Sequence, residues 1–274
     1  MADCNSCPSG SSCTKDKGSC GIVNNPLNHI KHVIGIMSGK GGVGKSTVTT
    51  MLAKDLAKRG YKVGIMDADI TGPSIPRLMG VSGQMAMGDG DNIIPVTSKE
   101  GIKIISLNLL LEDESQPVVW RGSIISGAVK QFWEEVLWGE LDYLLIDMPP
   151  GTGDVALTVM QSTPINGIVM VSVPQDMVSM IVAKAVNMTK KLNVPVLGVV
   201  ENMSYILCPD CSTKISFHEE TGAHDMLKEM NLRLLGELPM TKGIAKMTRG
   251  VTCEENEKMF APIAENILEE INKL

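Results

Sequence analysis

"GKGGVGKST", residues 39–47, decides the fold of this chain. It fits the pattern G-x-x-x-x-G-K-[ST], follows the apolar run "HVIGIMS" (residues 32–38) and opens a stretch with helical spacing. Glycines let consecutive backbone N–H groups turn towards phosphate oxygens, and the positive end of the helix adds to the attraction. We expect Lys45 to reach the outer phosphates and the Ser46 hydroxyl to bind Mg²⁺. The predicted phosphate site consists of Gly39, Lys40, Gly41, Gly42, Val43, Gly44, Lys45, Ser46 and Thr47.

Two acidic segments follow apolar strands and complete this predicted site. "LLIDMPPGTGD" ends a strand at Asp147, the place where proteins with this motif hold Mg²⁺ through water. "IMDADITGPS" carries Asp67 and Asp69 at the end of another strand, and α/β sheets bind ligands at that edge. The two carboxylates could instead cap a turn. Because Asp67 and Asp69 alternate along a strand that leads into a Gly-Pro turn, a switch loop that responds to the bound phosphate is favoured.

From His32 onward, short apolar runs alternate with amphipathic stretches. The predicted strands, buried on both faces, lie at residues 32–38, 62–69, 102–109, 143–149, 167–174, 194–202 and 232–239. The predicted helices lie at residues 45–60, 126–140, 176–192 and 254–274. This alternation predicts an α/β fold, with a mostly parallel sheet flanked by helices on both sides. The Gly-rich, polar residues 80–102 are predicted to form a hairpin insertion at one edge.

Length and composition limit the class of protein. A chain of 274 residues with 43% hydrophobic and 20% charged residues fits one sizeable soluble domain. The net charge of −6 argues against nucleic-acid binding through a basic face. The start, "MADCNSCPSG", lacks the pattern of a signal peptide, and no apolar run reaches membrane-spanning length. We therefore expect a cytoplasmic protein without membrane contact, in which cysteines stay reduced.

The stretch "YILCPDCSTKI", residues 205–215, places Cys208 and Cys211 in a CxxC pair with no other cysteine near it in sequence. Structural zinc sites and cubane clusters both take four thiolates, so this pair is half of such a site. A redox-active dithiol is a third interpretation, although no clear helix follows that would lower a thiol pKa. The residues alone leave iron–sulfur and zinc ligation open.

Lys40 makes the phosphate motif more specific. With this second lysine, "KGGVGKST" resembles the deviant P-loop class of dimeric ATPases (SIMIBI, deviant Walker A type), which includes the nitrogenase iron protein, septum-site and partition ATPases, and iron–sulfur carriers. The resemblance implies that Lys40 crosses a dimer interface to the partner's nucleotide. It also implies that Asp69 positions the attacking water and that Asn202 recognises adenine. Asp67 and Asp147 match the carboxylates on the magnesium side.

Four segments narrow the resemblance. Together, "DADITGPSIPRLMG", "VVWRGSIISGAVKQF", "DYLLIDMPPGTGD" and "VVENMSYILCPDC" resemble the Mrp/ApbC/Nbp-type iron–sulfur cluster carriers, over residues 30–274. This resemblance implies a slow ATPase whose homodimer holds a [4Fe–4S] cluster between Cys208 and Cys211 of both subunits. The implied cofactors are ATP, Mg²⁺ and the cluster. The implied partners are a cluster donor and apo iron–sulfur acceptor proteins.

The first 28 residues differ from the rest, because they hold four of the seven cysteines and few apolar residues. We predict a flexible Cys-rich segment, residues 1–28, followed by an ATPase domain, residues 29–274. The segment keeps the C-x2-C-x5-C spacing found in carriers of the eukaryotic cytosolic scaffold type. Its fourth cysteine, however, follows these three cysteines instead of preceding them. We predict a second cluster site here over zinc or a thiol tail, with four candidate ligands: Cys4, Cys7, Cys13 and Cys20.

Three alternatives belong to other classes. A zinc-bridged dimeric regulatory or scaffold ATPase would use the same thiolates. A positioning ATPase on membrane or DNA would need a basic amphipathic surface, but "FAPIAENILEEINKL" carries three Glu against one Lys. A reductase like the nitrogenase iron protein would have widely separated bridging cysteines, and this chain has none between Cys20 and Cys208. The cluster carrier is therefore favoured.

Overall fold

The computed structural model describes residues 22–70, 72–111, 122–174, 176–216, 227–247 and 254–274. Its strands are β1 (His29–Ser38), β2 (Val63–Asp67), β3 (Met87–Asp89), β4 (Asn92–Ile94), β5 (Val96–Thr97), β6 (Lys103–Ile105), β7 (Glu140–Asp147), β8 (Gly167–Ser172), β9 (Val196–Leu207), β10 (Lys214–Ser216) and β11 (Leu234–Pro239). Its helices are α1 (Lys45–Lys58), α2 (Ile75–Leu78), α3 (Gly122–Glu134), α4 (Asp154–Ser162), α5 (Asp176–Lys191), α6 (Lys242–Lys246) and α7 (Glu254–Ile271).

One mixed sheet organises these elements. In the described ranges it has nine strands in the order β10-β9-β8-β1-β7-β2-β6-β5, and β11 also pairs with β9. The pairings are parallel except for β5–β6 and β9–β10 at its two ends. Strands β3 and β4 form a separate antiparallel hairpin within residues 80–102. The mostly parallel sheet and the hairpin insertion predicted from the sequence are therefore confirmed.

Helices cover both faces of the sheet, as predicted. In β1, Ile34 and Ile36 belong to the apolar cluster that includes side chains of α1 and α7. Val33 and Met37 point the other way and pack with side chains of α3, α4 and α5. Central strands are buried on both faces for this reason, and they read as continuous apolar runs. None of the helices in the described ranges is long and apolar enough to cross a membrane.

Several helical regions differ from the sequence prediction, among them the short helices α2 and α6, which were not predicted. The helix predicted over residues 126–140 is α3, which ends at Glu134. Beyond it, Val136 forms a parallel bridge with Ile93, and Gly139 takes a φ of 61° before β7 begins. Both conformations are incompatible with a continuing helix. Helix α4 was not predicted, because it is only nine residues long and directly follows the turn-rich sequence "PPGTG".

Strand β9 is longer than predicted and extends past the end of its pairing with β8. It continues past residue 202 to Leu207, and its last residues pair antiparallel with β10. Earlier in the strand, Val199 pairs with β8 on one side and with β11 on the other. The extension was missed because β10 has only three residues, all of them exposed, so it carries no apolar alternation.

Residues 22–28 lie against the domain, which differs from the flexibility expected for all of residues 1–28. Ile22 is buried in the cluster that contains α3, and Asn24 Oδ1 accepts a hydrogen bond from Trp133 Nε1 at 3.0 Å. Asn28 Nδ2 donates to the Val136 carbonyl at 2.8 Å. The four cysteines predicted to bind a second cluster, Cys4, Cys7, Cys13 and Cys20, lie outside the described residues.

Two truncations should separate the roles of these parts. Removing residues 1–21 should leave the free energy of unfolding of the metal-free protein unchanged. Removing residues 1–28 should lower it by about 2–4 kcal/mol, because a buried isoleucine and several hydrogen bonds are lost. Equilibrium unfolding in guanidinium measures both values. Equal stabilities would show that the contacts of residues 22–28 contribute nothing.

Candidate functional site

The loop between β1 and α1 forms a backbone cradle. Gly42 and Gly44 have φ angles of 78° and 87°, in the left-handed region that favours glycine. A Cβ atom at Gly44 would also collide with Asn202 Nδ2. Gly44 is the N-cap of α1, and no side chain caps this helix. The first N–H groups of α1 can therefore bind an anion.

A cavity of about 420 Å³ lies over this loop, a size typical of small-molecule sites. The predicted residues that line it are Gly41, Gly42, Gly44, Lys45, Ser46, Thr47 and Asp69. Ser38, Gly72, Ser74, Arg77, Leu78 and Pro150 complete the lining. Arg77, which adds a cation from α2, was not predicted from the sequence. It could have been found because it lies in "DADITGPSIPRLMG", one of the four segments that carry the family resemblance.

Lys45 is held between two carboxylates, Asp147 at the end of β7 and Asp69 in the loop after β2. Its Nζ lies 2.8 Å from Asp147 Oδ2 and 3.5 Å from Asp69 Oδ2. Burial opposes the charged form, but the charges of Asp147 and Asp69 outweigh it, so the pKa of Lys45 lies above its usual value. Lys45 therefore presents a permanent positive charge at the cavity.

Asp147 also accepts two hydrogen bonds from α1. Ser46 Oγ donates to Oδ2 at 2.6 Å, and Thr49 Oγ1 donates to Oδ1 at 2.8 Å. Thr49 was not identified from the sequence. It could have been noticed as a buried polar residue one turn after Lys45. The Ser46 hydroxyl and the Asp147 carboxylate place two oxygen ligands side by side, a donor set that suits Mg²⁺.

Asp67 is fully buried beside this group. Its Oδ2 accepts hydrogen bonds from Ser106 Oγ at 3.0 Å and from the Ile75 amide at 3.4 Å. Burial, followed by the charge of Asp147, raises the pKa of Asp67 to about 8. At neutral pH the metal-free protein therefore keeps Asp67 protonated. Ser106, a partner that the sequence did not reveal, reaches Asp67 because β6 pairs with β2.

Lys40 and Asn202 do not line the cavity in the described structure. Lys40 is half-buried, and its carbonyl accepts a hydrogen bond from Ser38 Oγ at 3.0 Å. Asn202 is buried, its Nδ2 donates to the Val43 carbonyl at 2.9 Å, and its Oδ1 accepts from the Met203 amide at 3.0 Å. These bonds fix Asn202 to the phosphate loop. Adenine recognition by Asn202 and the dimer-crossing role of Lys40 stay predictions.

Cys208 and Cys211 lie in the turn between β9 and β10. Backbone hydrogen bonds close this turn, from Cys208 N to the Thr213 carbonyl at 3.0 Å and from Ser212 N to the Cys208 carbonyl at 2.9 Å. Both thiols are free, and Cys211 is exposed. Hydrogen bonds from Thr213, and then from Cys208, lower the pKa of Cys211 and so favour the metal-binding thiolate. Within the ranges that the structure covers, no third His, Cys, Asp or Glu joins them.

The parallel sheet, the glycine cradle and the buried Lys45–Asp147 pair define a P-loop NTPase. The chain matches the ParA family model, described as NUBPL iron-transfer P-loop NTPase, over residues 29–272. It belongs to this family.

Proteins of known name or structure agree with this assignment. An iron–sulfur cluster carrier protein of Clostridium perfringens is 48% identical over 282 residues, which cover 98% of this chain and 97% of that protein. The protein of the same name from Methanocaldococcus jannaschii is 42% identical over 281 residues, covering 98% and 96%. A nucleotide-binding protein of Archaeoglobus fulgidus, solved with ADP, has 42% identity and a TM-score of 0.71 over 80% of this chain and 86% of its own. The resemblance to iron–sulfur carriers inferred from the sequence is confirmed.

The raised pKa of Asp67 leads to a pH-dependent prediction. An unfolded Asp titrates near pH 4, whereas folded Asp67 stays protonated up to about pH 8. In this window the folded state binds the extra proton, so rising pH lowers wild-type stability, by up to about 1.4 kcal/mol per pH unit. Asp67→Asn cannot ionise and should therefore gain stability over wild type from pH 5 to pH 8. Thermal unfolding in EDTA measures the difference; a constant difference across the window would contradict the prediction.

Proposed function

We propose that this protein is a cytoplasmic homodimeric ATPase that carries an iron–sulfur cluster and delivers it to apo-proteins. Membership of the family and the names of its full-length relatives support the general role. One structural feature supports a link between ATP hydrolysis and cluster delivery: the course of strand β9. This strand holds Asn202 against the phosphate loop and ends directly before Cys208. The nucleotide site and the thiolates therefore share one strand.

The phosphate loop binds ATP and promotes its hydrolysis. The N–H groups at the start of α1 hold the phosphate oxygens, and Lys45 stabilises negative charge that develops during transfer. Mg²⁺, when bound by the Ser46 hydroxyl with Asp147 nearby, neutralises further phosphate charge. Asp69 lines the cavity 3.5 Å from Lys45 Nζ, which suits a carboxylate that orients the attacking water.

The phosphate state is passed to the thiolates through Asn202. A change in the loop around Val43 and Gly44 acts on the Asn202 side chain, which touches both residues. Met203, the next residue, has a φ of 53°, an uncommon conformation outside glycine that marks a local bend in β9. The bend lies between the part of β9 that pairs with β8 and the part that pairs with β10. A movement of the phosphate loop is therefore passed along β9 to the β9–β10 hairpin.

The cluster is shared by two copies of the chain. A cubane cluster takes four thiolates, and the hairpin offers Cys208 and Cys211. A twofold axis supplies the same pair again from the partner. Three large apolar side chains are exposed on or beside the hairpin, with 44% exposure for Leu207, 45% for Ile215 and 53% for Met240. A second subunit that covers them removes apolar surface from water.

A zinc-bridged dimeric scaffold is the second candidate function. Its support is the same pair of free thiols with one exposed, because zinc accepts four thiolates in similar geometry. The two candidates differ in acid-labile sulfide, which a cluster contains and a zinc site does not.

Cluster content after anaerobic reconstitution with iron and sulfide tests the shared site. The full chain is used with Ser in place of Cys4, Cys7, Cys13 and Cys20. We expect one [4Fe–4S] cluster per dimer. Mixed dimers of one such chain and one that also carries Cys208→Ala and Cys211→Ala should hold no stable cluster, because two thiolates remain, while nucleotide binding persists.

Iron, sulfide and protein quantitation decide between the outcomes of this experiment. Half the cluster content in a purified mixed dimer would mean that each chain holds its own metal. Stoichiometric zinc without sulfide in the protein as isolated, together with failed reconstitution, would select the zinc-bridged scaffold instead.

Replacing Asp69 tests the hydrolytic step separately. Asp69→Asn should bind Mg-ATP with nearly unchanged affinity but hydrolyse it at least about 100-fold more slowly, because the water loses its orienting carboxylate. Asp91→Asn, at an exposed turn of the β3–β4 hairpin, is the matched control. Steady-state phosphate release and nucleotide titration measure the two effects. Equal rates for the two variants would exclude this role for Asp69.

A further inference from the structure

Arg77 is an exposed cation in the lining of the cavity over the phosphate loop. The other two arginines in the described ranges, Arg59 and Arg233, each lie within ion-pair distance of two carboxylates. Arg77 forms no such pair with any residue that the structure describes. An ion pair within the described part of the fold therefore does not account for Arg77, and its guanidinium is available to an anionic ligand of the cavity.

Helix α2 fixes the backbone from which this guanidinium extends. Ile75, Pro76 and Leu78, the other three residues of α2, are buried. Ile75 and Leu78 belong to the apolar cluster that also contains side chains of α1. Arg77 is thus the residue of α2 that the core does not bury, and it borders the cavity. Its side chain can change rotamer while α2 stays in place.

One buried carboxyl group, that of Asp67, closes the loop between β2 and α2. Its Oδ1 accepts a hydrogen bond from the Asp69 amide at 3.2 Å, and its Oδ2 accepts one from the Ile75 amide at 3.4 Å. Asp69, at the start of this loop, and Arg77, just beyond it, both line the cavity. Asp69 Oδ2 lies 3.5 Å from Lys45 Nζ, so this wall of the cavity meets the phosphate loop at Lys45.

The place of this wall indicates which phosphate Arg77 can reach. In a P-loop the backbone N–H groups surround the inner phosphates, whereas the lysine reaches the outer ones. A wall that meets the loop at Lys45 is therefore next to the outer end of a bound nucleotide. The charge of Lys45 is already balanced, because Asp147 lies 2.8 Å and Asp69 lies 3.5 Å from its Nζ. A terminal phosphate placed there is stabilised by a further cation besides Mg²⁺, and Arg77 is the second cationic side chain of the lining.

We propose that Arg77 binds the terminal phosphate of ATP and thereby makes the site prefer ATP over ADP. A guanidinium donates two parallel hydrogen bonds to a phosphate, in a geometry that an ammonium cannot provide. ADP lacks the terminal phosphate, so the contact strengthens the binding of ATP alone. Arg77 acts in this way only if the cavity binds adenine nucleotides, so the inference rests on the proposed function.

Replacing Arg77 tests this specificity by nucleotide affinity, without the need for turnover. Full-length protein is titrated calorimetrically in Mg²⁺ with adenylyl imidodiphosphate, an ATP analogue that resists hydrolysis, and with ADP. Arg77→Gln should bind the analogue at least about 10-fold more weakly than wild type, because charge-assisted hydrogen bonds to the terminal phosphate are lost. Its affinity for ADP should stay within about 2-fold of wild type, because ADP makes no contact with Arg77. Arg77→Lys, which keeps the charge without the planar fork, should lie between the two.

Lys99→Gln is the matched control, because it removes one positive charge at an exposed turn outside the cavity. Both affinities should be unchanged in this variant. The ligand-free Arg77→Gln protein should melt at the temperature of wild type, because Arg77 has no ion pair among the described residues. A lower melting temperature together with equally weakened binding of both nucleotides would show a structural role for Arg77 and would overturn the proposal.

The ratio of the two affinities separates this proposal from the proposed function. Wild-type protein that binds both nucleotides, with the same ratio of affinities in Arg77→Gln, would overturn the role of Arg77 and leave the ATPase proposal standing. Wild-type protein that binds neither nucleotide would overturn both.

Discussion

One buried carboxylate, Asp147, joins the phosphate loop to the sheet. It lies at the end of β7, which pairs with β1 on one side and β2 on the other. Lys45, Ser46 and Thr49, all from the first turn and a half of α1, direct their polar groups to its two oxygens. Without this carboxylate, the Lys45 ammonium would lose its nearer partner, and the Ser46 and Thr49 hydroxyls would each lose an acceptor. The position of α1, and with it the shape of the loop, depends on this contact.

Parallel register explains why the acidic groups meet at this place. Asp67 of β2 stands opposite Asp147 of β7, so two carboxyl groups share one edge of the sheet. Two negative charges on facing residues of neighbouring strands would repel each other. The surroundings of the two carboxyl groups differ accordingly. Asp147 has the ammonium of Lys45, whereas Asp67 has Ser106 and backbone amides. The metal-free site thus separates one neutral and one paired carboxyl group, and a cation bound there would change this balance.

The sequence allowed the phosphate loop, Asp147 and the layered fold to be predicted because each depends on local chemistry. Glycine spacing dictates the backbone of the loop, and continuous apolar runs reveal strands buried on both faces. Features that depend on tertiary contacts were missed. Strand β10 exists because the end of β9 pairs with it, and Ser106 reaches Asp67 only through strand order.

The position of the CxxC turn has a consequence for the effect of mutations. The turn lies beyond the sheet, closed by its own backbone hydrogen bonds, and its two cysteines belong to neither apolar cluster. Substitutions at exposed turn positions change stability by no more than about 0.5 kcal/mol in most proteins. Exposed Cys211 and the residues between the two cysteines can therefore be altered with little cost to folding. A replacement at this tip therefore affects the thiols alone, whereas one at Asp147 also disturbs the helix and the loop that contact it.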